Sequence, residues 1–251
     1  MLGDAVVDVA LAPLRAQLDA LDHTPTPSEM RGERKFVTVM FADIAGFTQL
    51  SETLDPETTR DLMNDCFDRL VPIIRQYGGV IDKFIGDGMM VLFGAPHAHE
   101  NDPERALRAA LEMKSALAEV SAERGLPLNL HFGINTGLVV AGGLGAHDRQ
   151  EYSVMGDAVN IAARLEDASQ PGEILVGPAT YRFTAPLFDY DPLSPIHFKG
   201  KSEPLPIYRL RALKAARGST RGLAGMSSPL IGRAEPYAAL QHALTNLQAR
   251  R

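Results

Sequence analysis

The chain lacks most of what would mark a secreted, membrane-spanning or polyanion-binding protein. A single cysteine, Cys66, stands among 251 residues, so no internal disulfide can form and the composition suits a reducing compartment. Positive charge is in deficit: 25 Lys and Arg face 31 Asp and Glu, a net charge of −6. That argues against a nonspecific binder of nucleic acid or anionic membrane, which needs a positive field to collect phosphates, but it leaves a metal-bound nucleotide open. No apolar run approaches the roughly 18 residues needed to cross a bilayer, and the amino terminus has no charged stretch followed by an apolar one. A cytoplasmic, soluble protein is expected. The signature of disorder is missing too, with 45% hydrophobic and 22% charged residues.

What is present divides the chain in three. Residues 4 to 22 place Val6, Val9, Leu11, Leu14, Leu18 and Leu21 at roughly helical spacing, interrupted by Pro13. TPTPS at 24 to 28 then reads as a stiff linker, because proline fixes φ. We therefore expect an arm and linker over 1–34, a domain over 35–212, and a linker plus the beginning of a further module over 213–251.

The domain opens on KFVTVMFADIAGF, residues 35 to 47. A β-rich apolar run delivers one carboxylate, Asp43, at its end. Asp55 and Pro56 cap a helix whose stripe is Leu62, Met63, Cys66, Phe67, Leu70, Ile73, Ile74 and Tyr77. Gly78 and Gly79 end it. VIDKFIGDGMMVLFG predicts two strands joined by a tight turn that presents Asp87. Asp102 and Pro103 start a second capped helix towards Glu123. LNLHFGINTG predicts a strand, Val139 and Val140 open a return strand, and GGLGAHDRQ is expected to be a flexible polar loop. A third helix follows Gly156 and stops at Pro171 and Gly172. EILVG is a short strand, with further strands expected near 196–199 and 207–210. This order predicts an α+β sandwich, helices packed on an antiparallel-rich sheet.

Two carboxylates, Asp43 after a strand and Asp87 in a hairpin, could hold Mg²⁺ ions for phosphoryl chemistry; an aspartate capping the following helix is the plainer reading of Asp43 taken alone. Lys83 could reach a base or phosphate, or be an exposed strand lysine. Asn160 and Arg164 stand at i and i+4 on one helix face, where the arginine could stabilise a transferring phosphate or pair with Glu151 or Glu166 at the surface. Gly200, Lys201 and Ser202 end like a P-loop, but Pro195 occupies the position where that motif needs glycine. His97, His99 and Glu100 have a conceivable zinc spacing in a polar turn, where a zinc site is not expected. Cys66 falls on the buried stripe and reads as a core thiol.

Taken together, FADIAGFT, DKFIGDGMMVLFG, EYSVMGDAVNIAARL and FKGKSEP resemble the catalytic domain of class III nucleotidyl cyclases, adenylyl cyclases above all. The four motifs come in order across residues 35 to 210. The resemblance implies a ferredoxin-like α+β fold and a head-to-tail homodimer that builds its sites from both subunits. It implies two Mg²⁺ or Mn²⁺ ions per site, held by Asp43, Asp87 and the backbone carbonyl of Ile44. Lys83 corresponds to the base-selecting lysine and Ser153 to its companion, where the family more often has Asp or Thr. Asn160 corresponds to the ribose-orienting asparagine, Arg164 to the transition-state arginine and Lys199 to the triphosphate-binding lysine. ATP is the implied substrate, and Lys83 favours it over GTP. A guanylyl cyclase, or a domain with the fold and little turnover, is the alternative. SSPLIGRAEPYAALQ is similar to the entry of ATPase modules that follow cyclase domains in longer bacterial regulators.

Overall fold

The structure, a computed structural model, describes residues 32–146, 149–197 and 203–214. The expected N-terminal arm, the ATPase-like beginning from residue 227, and Lys199 lie outside the described residues. The chain divides into two compact units, Met1–Leu213 and Lys214–Arg251, and the elements described below belong to the first.

Strand β1 (Glu33–Ala45) carries apolar side chains on both faces. Met40, Ala42 and Ile44 enter one core, and Val37 and Val39 enter another. A strand buried on both sides belongs in the middle of a sheet covered by helices on both faces. Accordingly β1 pairs antiparallel with β3 (Gly88–Phe93) on one side and with β4 (Asn129–Ala146) on the other. β2 (Val80–Ile85) flanks β3. The full order is β2-β3-β1-β4-β6-β8-β7, with β5 (Arg149–Met155) also pairing β4. β6 is Ile174–Val176, β7 is Phe188–Ile196 and β8 is Leu205–Leu213. The pairs are antiparallel except β4 with β6, which is parallel. The first four strands and the two long helices form a ferredoxin-like βαββαβ core, so the α+β class holds.

After the short helix α1 (Phe47–Ser51), the amide hydrogens of Glu57 and Thr58 both donate to Asp55 Oδ1 at 3.0 Å, starting α2 (Pro56–Gln76) as expected. Leu62, Cys66, Leu70, Ile73 and Ile74 are its buried stripe. Helix α3 (Asp102–Arg124) lies on the same face of the sheet, sharing that core through Ala106, Ala110, Met113 and Leu117. Its cap differs from expectation. Asn101 is the capping residue, and buried Asp102 instead accepts from the His99 backbone N–H at 2.8 Å and lies 3.1 Å from His99 Nδ1. That contact gives His99 a structural role. The opposite face of the sheet is covered by α4 (Asp157–Ala168), through Ala158 and Ala162.

Three expectations need correction. No return strand opens at Val139: β4 runs on through Gly137, which faces Val37 across the ladder. Glycine stands there because a methyl group would meet the Ala158 side chain at 3.0 Å, so the residue makes room for α4 instead of making a turn. GGLGAHDRQ is largely strand, since Gly142 to Ala146 pair with residues 149 to 153 of β5. The strand expected near 196–199 meets β7 (Phe188–Ile196) at Ile196, so most of that strand lies earlier than expected, and 198–199 fall outside the described residues. Helix α5 (Pro178–Thr184) was not expected, because Thr, Tyr and Phe favour strands locally. It forms where Thr180 and Thr184 become buried, Thr184 donating to the Thr180 carbonyl at 2.7 Å.

Candidate active site

Asp43 leaves β1 on the same face as Val37 and Val39. Directly opposite it on β4 is His131, and side chains opposite one another across a ladder share a face. His131 Nε2 lies 3.3 Å from Asp43 Oδ2. Its Nδ1 lies 3.3 Å from Glu166 Oε1 and 3.0 Å from Ser169 Oγ, both at the C-terminal end of α4. Asp43, His131 and Glu166 each offer a ligand atom, all within 4.8 Å of one another.

Asp87 joins this corner through the GDG turn. Gly86 has φ +63°, a left-handed conformation that favours glycine. Gly88 leaves space for the first aspartate, since a methyl group there would lie 2.6 Å from Asp43 Oδ1. Burial pushes the Asp87 carboxyl above its ordinary range, and the Asp43 charge adds to the rise. Burial likewise pushes Glu166 up to about 7, opposed by His131 and reinforced by Asp43. The hydrogen bond to Asp43 raises the pKa of His131. Three carboxyl groups thus crowd one imidazole, an arrangement that favours cations. The oxygen-rich donor set fits a hard divalent ion such as Mg²⁺ or Mn²⁺. Ile44 is buried in the core, so only its backbone could serve such an ion.

A second cluster joins residues 70 apart in sequence. Lys83 Nζ lies 3.3 Å from Ser153 Oγ on β5, which is 4% exposed. Both also reach Asp82 Oδ2, at 2.9 Å each. Adjacent strand residues normally point to opposite faces. Here Ile81 faces Val91 and Lys83 faces Met90, so Asp82 is the extra residue of a bulge, the device that re-aims a side chain.

On α4, Ala158, Ile161, Ala162 and Leu165 face inward, leaving Asn160 exposed and Arg164 half-buried. The helix seats closely on β4 at Gly133, where a methyl group would collide with the backbone of Ala162 and Glu166. Among the described residues, no hydrogen bond or ion pair joins Asn160 to either cluster. Of the residues expected from sequence, Asp43 and Asp87 come together, and so do Lys83 and Ser153. His131, Glu166 and Asp82 were not expected. His131 and Asp82 are recognisable only from strand register and Glu166 only from helix placement, which no local pattern encodes.

The family pattern described as "Adenylate and Guanylate cyclase catalytic domain" matches residues 30–212. Adenylate cyclase 1 of Rhizobium meliloti (strain 1021) is 35% identical over 193 residues, covering 74% of this chain and 29% of the relative. The adenylate cyclase of Anabaena cylindrica is also 35% identical, covering 70% of this chain and 37% of its own length. The chain therefore spans about a third of these relatives. Among solved structures, the adenylyl cyclase CyaB from P. aeruginosa is 36% identical, with a TM-score of 0.71, covering 77% of this chain and 99% of that one. A guanylyl cyclase is 34% identical, with a TM-score of 0.70, covering 74% and 97%. With this match spanning most of the described fold, the chain belongs to the adenylate and guanylate cyclase catalytic-domain family.

Proposed function

We propose that the chain is an adenylyl cyclase that converts ATP to 3′,5′-cyclic AMP and pyrophosphate. The observation that carries this reading is the Lys83–Ser153 pair: two separate strands bring a cationic donor and a hydroxyl to one spot, the functional groups an adenine edge requires. In the reaction the ribose 3′-oxygen bonds to the α-phosphorus, the bond to the β-phosphate oxygen breaks, pyrophosphate leaves and the hydroxyl proton passes to water.

Lys83 and Ser153 bind the base. Asn160 orients the ribose, and Arg164 with Lys199 balances charge on the transferring phosphate. Asp43, Asp87 and the Ile44 carbonyl would hold two Mg²⁺ or Mn²⁺ ions, which when bound would supply Lewis-acid charge and lower the pKa of the 3′-hydroxyl.

The active form is a head-to-tail homodimer, with the metal-holding and base-binding halves of each site drawn from different subunits. Exposed apolar side chains give this a surface. Phe36 faces Leu138 across the ladder and packs edge-on against Phe183 at 5.8 Å, while Val140 faces Met155. Clustered exposed apolar groups mark contact surfaces. The domain works in the cytoplasm as the output of a longer protein, regulated by modules beyond residue 213. GTP is the competing substrate, favoured by the comparable likeness to a guanylyl cyclase.

The test is incubation of the chain with ATP or GTP and Mn²⁺, followed by chromatography of the products. Cyclic AMP is expected from ATP. Asp43→Asn should abolish product while leaving the melting temperature close to wild type. Absence of cyclic nucleotide from both substrates would overturn the reading, and full activity in Asp43→Asn would remove the metal assignment.

A further inference from the structure

Asp82 is an unusual residue to find on an edge strand. Its side chain is only 1% exposed, and one of its oxygens, Oδ1, is buried with no hydrogen-bond partner. A buried carboxyl oxygen without a partner costs stability, so its retention calls for a role other than stability. The bulge at this position turns Asp82 toward the same point as Lys83, and Ser153 arrives from β5 to complete a triangle. Lys83 Nζ and Ser153 Oγ each lie 2.9 Å from the other carboxyl oxygen, Oδ2, and 3.3 Å from each other.

The protons in this triangle can be counted. A serine hydroxyl has one proton to donate and two lone pairs to accept with, a carboxylate only accepts, and an ammonium only donates. Ser153 therefore gives its single proton to Asp82. One of its lone pairs takes a proton from Lys83, and the other remains for a ligand. Lys83 spends two of its three protons on Asp82 and Ser153 and keeps the third.

The pair thus presents one acceptor, from Ser153, and one donor, from Lys83. Adenine offers the complement on its base-pairing edge: an amino group at C6 that donates, and N1, which accepts. In the same pose guanine sets a C6 carbonyl against the Ser153 lone pair and an N1–H against the ammonium, so acceptor faces acceptor and donor faces donor.

We infer that Asp82 is a positioning residue that fixes Ser153 as a hydrogen-bond acceptor and thereby selects adenine over guanine. The inference rests on the proposed role of Lys83 and Ser153 in binding the base, and it extends that role to a third residue. Without Asp82, the Ser153 hydroxyl can rotate and donate to a C6 carbonyl as readily as it accepts from an amino group.

The experiment measures dissociation constants of 3′-deoxy-ATP and 3′-deoxy-GTP with Mn²⁺ for the wild-type chain, Asp82→Ala, Ser153→Ala and the double variant. These nucleotides lack the attacking hydroxyl, so binding is read whether or not the chain turns over. Each ratio is taken within one protein, so a partly unfolded variant does not distort it. The wild type should prefer the adenine nucleotide. Asp82→Ala and Ser153→Ala should each lower that preference about tenfold, the scale of one hydrogen bond, and the double variant should fall no further than Ser153→Ala.

A wild type without adenine preference overturns the inference. So does an unchanged ratio in Asp82→Ala, or an equal loss from Asp82→Ala with and without the Ser153 hydroxyl, which would place its effect elsewhere. Should Asp82→Ala fail to fold, an unchanged ratio in Ser153→Ala overturns it alone. Failure of the wild type to make cyclic AMP despite adenine-selective binding would sink the proposed activity and leave this inference standing.

Discussion

Replacing Gly133 by alanine tests how tightly α4 is seated. Gly133 is buried in β4 beneath α4, and an added methyl group would lie 2.9 Å from Glu166 Cα and closer still to the Ala162 carbonyl oxygen and the Glu166 amide nitrogen. All three are backbone atoms, so no side chain can swing aside. To restore ordinary contact the helix must retreat by more than about 1 Å, and overpacking of this kind costs about 3 kcal/mol. For a domain of this size that corresponds to a fall in melting temperature of about 6–12 °C. The shift carries Asn160 and Arg164 with it, and in the roles proposed for them a displacement of about 1 Å reduces turnover about 100-fold. Gly137→Ala is the control: its methyl group would meet the Ala158 side chain at 3.0 Å and backbone only at an ordinary 3.9 Å, and a stiffer unfolded chain offsets about 0.4–1 kcal/mol of the cost. Thermal melts by circular dichroism and cyclase assays on both variants decide the matter. A Gly133→Ala protein that melts and turns over like wild type would refute the close seating of α4 on β4.

Two further outcomes follow from the same corner and from the core. Glu166 is raised from 4.5 to about 7 by burial, so its contribution to stability is fully present below about 4.5 and lost as the pH rises through about 7; His131, also raised, adds in the same direction. In EDTA the wild type should lose stability between pH 5 and 8, by about 3 kcal/mol for the Glu166 rise alone. Glu166→Gln should flatten that profile in urea titrations, and an unaltered slope would show that Glu166 is not the group responsible. Cys66 lies in the α2 core and burial pushes its thiol up to about 11. An aromatic disulfide reagent should therefore label one thiol only after denaturation; fast labelling of the native chain would contradict the packing of that stripe.

Much of the fold was legible because its signals are local. The Asp55–Pro56 start of α2 and the stripe from Leu62 to Ile74 depend on near neighbours along the chain, and so does the turn at Gly86–Asp87. Glycine stands for a tertiary reason at the end of LNLHFGINTG: a return strand was expected to open at Val139, yet β4 runs on and Gly137 makes room for Ala158 on a helix about twenty residues later. Helix α5 was hidden for a related reason, since its Thr, Tyr and Phe favour strands until burial settles their conformation. Among the described residues no helix is long and apolar enough to cross a membrane.

The amino-acid sequence alone determined which chemical groups the chain carries: Asp43 at a strand end, Asp87 in a glycine turn, a lysine four residues earlier, and an asparagine and arginine one helical turn apart. Their spacing follows from covalent geometry and short-range periodicity. The tertiary structure decided which groups meet. Register set His131 opposite Asp43, and the seating of α4 on Gly133 brought in Glu166. A one-residue bulge turned Asp82 beside Lys83 beneath Ser153. Those meetings depend on strand pairing between residues up to about 90 positions apart, and no local preference specifies such a pairing.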